Sequence, residues 1–298
     1  MNKTCFFLLL LFATLALTTP THAQDDEIIN VDSSIVVMNA TITDLTGKPV
    51  RGLQQSQFKI FEDGKEQEIA FFQAEETPFA AVILLDSSGS MEQSMTLARA
   101  AAIKFLDGLR SNDVAAIYNF DSKVSLVQDF SNSRDIAEGL FNLKASGMTV
   151  LNDAIYHAAA ELAKRPEKRK AIIVLSDGED TKSGRGADKA LKAALAANAL
   201  IYTIDMSAPD SSGRQRMLNQ GALRNFAEKT GGTFVPTPGG LAMREAFKHI
   251  VDELSVQYTL GYQPANLKKD GKWRALELKV AKSNLVIRTR KGYNAPKN

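Results

Sequence analysis

The chain has 298 residues, 44% of them hydrophobic and 23% charged, a composition that excludes a disordered or collagen-like polymer and suits one large domain or two smaller ones. The 36 basic and 34 acidic residues leave a formal net charge of +2. The one short charged block, Lys164–Lys170, mixes both signs, which argues against nucleic acid as the main partner, because phosphate binding needs a concentrated basic footprint.

Residues 1–23 read as a secretory signal peptide. Lys3 supplies the positive start, Phe6 to Leu17 an apolar run, and Thr21-His22-Ala23 a small-x-small cleavage site before Gln24. The run is short for a bilayer span, which takes ~20 apolar residues, and no later stretch could span one. The expected location is secreted, periplasmic or cell-envelope, with membrane contact only through this segment if it stays uncleaved. Cys5, the single cysteine, falls inside it, so a cleaved chain has no disulfide to stabilise it.

Residues 24–76 read as strands and turns. Ser34–Ala40 and Thr41–Thr46 are rich in β-branched residues before the turn Gly47-Lys48-Pro49; Phe58–Glu62 alternates in and out, Asp63-Gly64 signals a hairpin, and Gln67–Phe72 returns. Asn39-Ala40-Thr41 fits a glycosylation sequon but lies in one of these strands.

From Phe79 strands and helices alternate. Ala80–Leu85 is continuously apolar, as for a strand buried on both faces. Met95–Leu109 repeats apolar residues at intervals of four. Val114–Phe120 and Val124–Phe130 read as strands, then come helix Asp153–Ala163, strand Ala171–Leu175, helix Ala187–Ala197 and strand Leu200–Ile204. Helices Leu218–Lys229 and Met243–Leu254 flank a short strand at Thr233–Val235. The pattern implies an α/β fold, a mostly parallel sheet covered on both faces, spanning residues 77–256. After it, Tyr258–Tyr262, Ala275–Val280 and Leu285–Thr289 are strands again. The two β-rich flanks, 24–76 and 257–298, are each too small to stand alone and are expected to pair into one small β domain.

Three segments collect hydroxyls and carboxylates at strand ends or helix starts: Asp86-Ser87-Ser88-Gly89-Ser90, Ser146-Gly147-Met148-Thr149 and Ser176-Asp177-Gly178-Glu179-Asp180. In an open parallel sheet, ligands bind beyond the carboxyl ends of strands where connections diverge. If the strands at Ala80 and Ala171 are neighbours, the three segments line one crevice. In an extended stretch Asp86, Ser88 and Ser90 point the same way, and Gly89 permits a tight turn. Such hard oxygen donors suit Mg²⁺, Ca²⁺ or Mn²⁺ rather than zinc. Asp86 and Asp177 would roughly neutralise the ion, and the uncharged hydroxyls would leave it electrophilic enough to accept a carboxylate from outside.

Asp86-x-Ser88-x-Ser90, followed by Thr149 and Asp177, resembles the metal-ion-dependent adhesion site (MIDAS) of von Willebrand factor A domains, and the likeness runs from about Thr77 to Val256. It implies a doubly wound, Rossmann-like, mostly parallel sheet with one antiparallel edge strand. It also implies a divalent cation, Mg²⁺ foremost and Ca²⁺ or Mn²⁺ as alternatives, held by Asp86, Ser88, Ser90, Thr149 and Asp177. The serines and threonine would bind directly or nearly so, the aspartates often through water, and an Asp or Glu of a protein partner would complete the shell. The flanks, with Gly52-Leu53, Phe61-Glu62-Asp63-Gly64 and Arg290-Lys291-Gly292-Tyr293, resemble bacterial secreted proteins of the VWFA-related type.

Other readings compete. A lone Asp-x-Ser-x-Ser also caps helices. Glu179 and Asp180 read as loop acids, Asp121 as a surface-turn residue, His157 and His249 as packed or surface histidines, and Trp273 as a packing residue of the β domain. A structural envelope protein whose metal only stiffens loops is one alternative. A metal-dependent phosphatase of haloacid dehalogenase type is another, but it needs a general acid where Ser88 stands, and a hydroxyl cannot serve as one near neutral pH. The expected role is therefore adhesion or protein binding without catalysis.

Overall fold

The computed structural model describes residues 35–74, 76–133, 138–208, 213–236 and 240–297; the signal peptide expected over residues 1–23, with Cys5, lies outside them. In chain order the elements are strands β1 (Val36–Asp44), β2 (Phe58–Glu62), β3 (Lys65–Gln67), β4 (Ile69–Gln73) and β5 (Phe79–Asp86), helix α1 (Met95–Asp107), strands β6 (Val114–Phe120) and β7 (Val124–Ser131), and helices α2 (Glu138–Phe141) and α3 (Leu151–Ala163). Strand β8 (Arg169–Ser176), helix α4 (Ala187–Ala196), strand β9 (Ala199–Asp205), helix α5 (Arg214–Thr230), strand β10 (Phe234–Val235) and helix α6 (Gly240–Ser255) follow. Strands β11 (Tyr258–Tyr262), β12 (Trp273–Val280), β13 (Leu285–Thr289) and β14 (Gly292–Asn294) complete the order.

The continuous apolar run becomes β5, at the middle of a six-stranded sheet ordered β10-β9-β8-β5-β6-β7. All its pairings are parallel except β6 with β7, the antiparallel edge. Strand alternation splits the β5 side chains between two cores. Phe79, Ala81, Ile83 and Leu85 pack with α1 and α6 on one face, and Ala80, Val82 and Leu84 with α3, α4 and α5 on the other. A strand with no wet face cannot alternate polar and apolar, which is why the run reads as it does. On α3 the buried positions Leu151, Ala154, Ile155, Ala158, Ala159 and Leu162 follow the helical period, and each large one contributes ~1.5–3 kcal/mol on burial.

Strands from both flanks build two four-stranded antiparallel sheets, β13-β1-β11-β4 and β14-β12-β2-β3, around a third core that includes Met38, Ile42, Phe58, Ile60, Tyr258 and Leu260. Within it the buried Glu62 carboxylate accepts hydroxyl bonds from Tyr262 at 2.6 Å and Tyr293 at 2.8 Å. The hairpin predicted at Asp63-Gly64 forms with both residues left-handed, φ 47° and 79°, as a two-residue turn requires. The strand predicted over Gln67–Phe72 instead breaks at Glu68: β3 pairs with β2 in one sheet and β4 with β11 in the other. Asn39 is buried in β1, where its amide donates to the Lys168 carbonyl at 3.2 Å and its oxygen accepts from Thr259 at 2.9 Å; the sequon is part of the packing. Trp273 is 43% exposed, because the β12 alternation places it on the outer face beside the buried Arg274. Among the described residues, no helix is long and apolar enough to cross a membrane.

Candidate metal centre

Strands β5 and β8 are neighbours, with Leu85 opposite Leu175, so the chain leaves both at the same end of the sheet. From β5 it turns toward α1 on one face, and from β8 toward α4 on the other. This divergence opens the crevice expected of a doubly wound sheet.

Asp86 closes β5 and is fully buried. Its Oδ1 accepts the Ser88 amide at 2.9 Å and its Oδ2 the Ser176 hydroxyl at 2.5 Å. Burial pushes its carboxyl up to about 7, with the nearby Asp177 charge adding to the rise and the bonds from Ser176 and Ser88 opposing it. Among the described residues it makes no ion pair with Lys or Arg. The Ser88 and Ser90 hydroxyls lie 3.1 Å apart. The extended stretch that would aim them together stops at Ser88 (φ −67°, ψ 164°), and a 3-10 turn over Gly89–Met91 brings Ser90 round instead. Gly89 has no left-handed backbone, and a Cβ there would meet only the Gly147 carbonyl at an ordinary 3.6 Å. The tightness expected of it is supplied by the 3-10 turn.

Backbone bonds tie the second segment to the first. Ser146 donates to the Ser87 carbonyl at 2.8 Å and Gly89 to the Gly147 carbonyl at 3.3 Å. Gly147 is left-handed (φ 78°), and a Cβ there would sit 2.8 Å from Ser122 Oγ, which accepts the Met148 amide at 3.1 Å. Thr149 is buried. Its amide donates to Thr181 Oγ1 at 2.9 Å, and its carbonyl accepts the amides of Thr181 at 3.0 Å and Lys182 at 2.9 Å, so the second segment is tied to the third.

In the third segment Ser176 is buried and Asp177 half-buried, its Oδ1 accepting the Glu179 amide at 3.1 Å. Gly178 is left-handed (φ 83°) and a Cβ would meet the Asn219 carbonyl at 2.6 Å, so only glycine fits. Asp180 serves backbone amides, Asn152 at 2.8 Å and Ser183 at 3.0 Å. The first of these caps α3 from outside and lets the helix begin at Leu151, ahead of the predicted Asp153. Asp121 accepts the Lys123 amide at 3.1 Å in a surface turn.

Three residues to which the sequence assigned no supporting role hold this arrangement: Ser176 on Asp86, Asn119, whose amide donates to Ser87 Oγ at 3.0 Å, and Ser122 under the second segment. Ser176 stands directly before Asp177, but its role follows from the β5–β8 register, which sequence does not print. Among the described residues no group of three or more His, Cys, Asp or Glu is placed to hold a metal. A centre here would rest on hydroxyls beside two carboxylates, a donor set for a hard cation and not for zinc or copper.

Comparison with known proteins locates the chain. The sequence model of the von Willebrand factor type A domain matches residues 81–179. An uncharacterized protein of Synechocystis sp. is 30% identical over 132 residues, 43% of this chain and 31% of that protein, so the chain spans about a third of the length of that relative. The structure of a von Willebrand factor type A protein from Catenulispora acidiphila shares the fold with a TM-score of 0.51 at 16% identity, over 87% of this chain and 74% of that one. The vWF domain of the type V pili tip protein Mfa5 from Porphyromonas gingivalis is similar at a TM-score of 0.49 and 14% identity, over 60% of this chain and 95% of that one. Residues 81–179 of this chain thus match the von Willebrand factor type A domain, and the chain shares the fold of a protein of that type.

Proposed function

We propose that Asp86, Ser88, Ser90, Thr149 and Asp177 hold a divalent cation, Mg²⁺ foremost with Ca²⁺ or Mn²⁺ as alternatives, and that the chain is a binding or adhesion module acting outside the cytoplasm on a protein partner through that partner's Asp or Glu. One observation carries this reading. The buried Asp86 carboxylate lies close enough to Asp177 to feel its charge, beside two converging serine hydroxyls, with no cationic side chain paired to it among the described residues. A buried carboxylate beside a half-buried one, left without a counter-charge, is costly, and a cation between them would offset that cost. A bound cation would supply Lewis acidity toward an incoming carboxylate. The residues would do the remaining work: Ser176 and the Ser88 amide orient Asp86, and backbone ties join Ser87 and Gly89 to Ser146 and Gly147, and Thr149 to Thr181.

The reading is one of binding, not turnover. Position 88 offers a hydroxyl where phosphatase chemistry needs a proton donor, and both Asp86 oxygens are already hydrogen-bonded. Capture of partners from envelope extracts tests it. Capture that needs Mg²⁺, stops with EDTA and is lost in Thr149→Ala supports an adhesion module; capture that survives both leaves the metal a structural part and moves binding to the flanking sheets.

A further inference from the structure

A second cleft, of about 290 Å³, lies beside the candidate centre, between the β6–β7 loop and one face of α3. Its lining includes Ser122, Lys123, Asp153, Tyr156, His157 and Arg185. The two sites share a wall: Ser122 carries the Met148 amide, and Val150, also in the lining, follows Thr149 in sequence. The cleft is built in part by loops that also build the centre.

Its charge is unbalanced. Asp153 is the one lining carboxylate among the described residues, and Arg185 pairs with it at 2.9 Å. The Arg185 guanidinium also lies over the Tyr156 ring at 4.3 Å, with Lys189 6.0 Å from the same ring. Arg185 spends Nη1 on Asp153 at 2.9 Å, and its side chain stays 41% exposed. Lys123 is exposed, and among the described residues its ammonium has no carboxylate partner. The neighbouring Asp121 has one oxygen on the Lys123 backbone amide. His157 packs edge-on against Tyr118 at 5.0 Å. The lining thus sets aromatic rings, Tyr156 and His157, beside two cations, Lys123 and Arg185, a combination that suits an acidic side chain with an aliphatic stem.

We propose that this cleft receives a second acidic side chain of the same partner segment whose first carboxylate reaches the cation, so that the partner is a segment carrying two acids. The proposal rests on the metal-binding reading for its first contact. Thr149 and the Tyr156–His157 pair are separated by about two helical turns, roughly 10 Å along α3. An extended segment advances ~3.3–3.6 Å per residue, which places the second acid about three residues from the first.

The test is an NMR titration of the full chain in Mg²⁺ with two blocked peptides, Gly-Asp-Gly-Gly-Gly-Gly and Gly-Asp-Gly-Gly-Asp-Gly. The two-acid peptide is expected to bind up to about fivefold tighter, as one partly exposed ion pair allows, and it alone should shift the ring signals of Tyr156 and His157. Lys123→Gln should erase that gain while leaving the one-acid peptide unaffected, and Lys123→Arg should restore it. Equal affinity for the two peptides, or a gain unchanged by Lys123→Gln, would overturn the proposal. If neither peptide responds to Mg²⁺, the metal reading has failed; ring shifts that persist in EDTA and vanish in Lys123→Gln would then still identify the cleft as an acid site.

Discussion

The hydroxyl of Ser176 donates to Oδ2 of Asp86 across the β8–β5 pair at 2.5 Å, while accepting the Gly178 amide at 3.0 Å. One small side chain thus fixes the carboxylate at the head of the first segment and the turn that begins the third. Both residues are fully buried, so neither can exchange this bond for one to water.

Ser176→Ala should therefore destabilise the chain by about 1–3 kcal/mol, the cost of leaving a buried polar group short of a partner, and should weaken cation binding as well. Ser176→Thr, which keeps the hydroxyl, should recover most of both. Denaturant melts with and without Mg²⁺ measure the two effects; an alanine variant with unchanged midpoint and unchanged Mg²⁺ response would contradict the role given to Ser176.

Glycine replacement should separate the third segment from the loop that follows it. Gly178→Ala would put a methyl 2.6 Å from the Asn219 carbonyl at a left-handed backbone, and a loss of at least about 2 kcal/mol is expected from strain and clash together. At Gly186, which precedes α4 with φ −77° and nothing within 4 Å of a Cβ, alanine should change stability by less than about 1 kcal/mol. Comparable losses at the two positions in urea unfolding would contradict the packing described here.

Arg169 opens β8 fully buried and donates to the carbonyls of Leu254, Ser255 and Gln257. It fastens the end of α6 and the entry to β11 at once. Arg169→Met should cost at least about 3 kcal/mol, because three carbonyls lose a charged donor. Hydrogen exchange should show the loss concentrated in the last turn of α6 and in β11; a uniform change, or none, would speak against this fastening.

Acid should loosen the loop between β8 and α4 through Asp153. Burial works against its charge, but bonds from the Gly184 amide and the Arg185 guanidinium outweigh it and hold its carboxyl below the usual range. A carboxyl whose folded pKa is depressed contributes stability above its unfolded value of ~3.9, and loses that contribution as pH falls through the folded value. Asp153→Asn should flatten the stability profile below about pH 4 and leave its shape near neutrality. An acid limb identical to that of the parent chain would contradict the assignment.

Local pattern carried much of the fold. The unbroken apolar run of β5 announces a strand buried on two faces, and the fourfold spacing in α1 announces its packing stripe, because each element's own residues must match the period and number of faces it buries. What escaped depends on residues far apart. The start of α3 is set by Asp180 and Ser183, whose side chains accept the amides of Asn152 and Asp153. The break between β3 and β4 reflects a choice between two sheets. Ser90 meets Ser88 through a 3-10 turn where alternation along a strand was expected. The chemistry of the candidate centre was legible as three hydroxyl- and carboxylate-bearing segments; the supports beneath it, Ser176, Asn119 and Ser122, were not, since register and loop contacts alone give them their roles.

Titration calorimetry with Mg²⁺ and Mn²⁺ on the intact chain and on Asp86→Ala tests the account most directly. One saturable cation per chain is expected, with affinity reduced tenfold or more (roughly, by analogy with lost metal-supporting contacts) in the variant while its circular dichroism stays that of the folded protein. No saturable binding, or equal binding by both proteins, would contradict a cation held at Asp86.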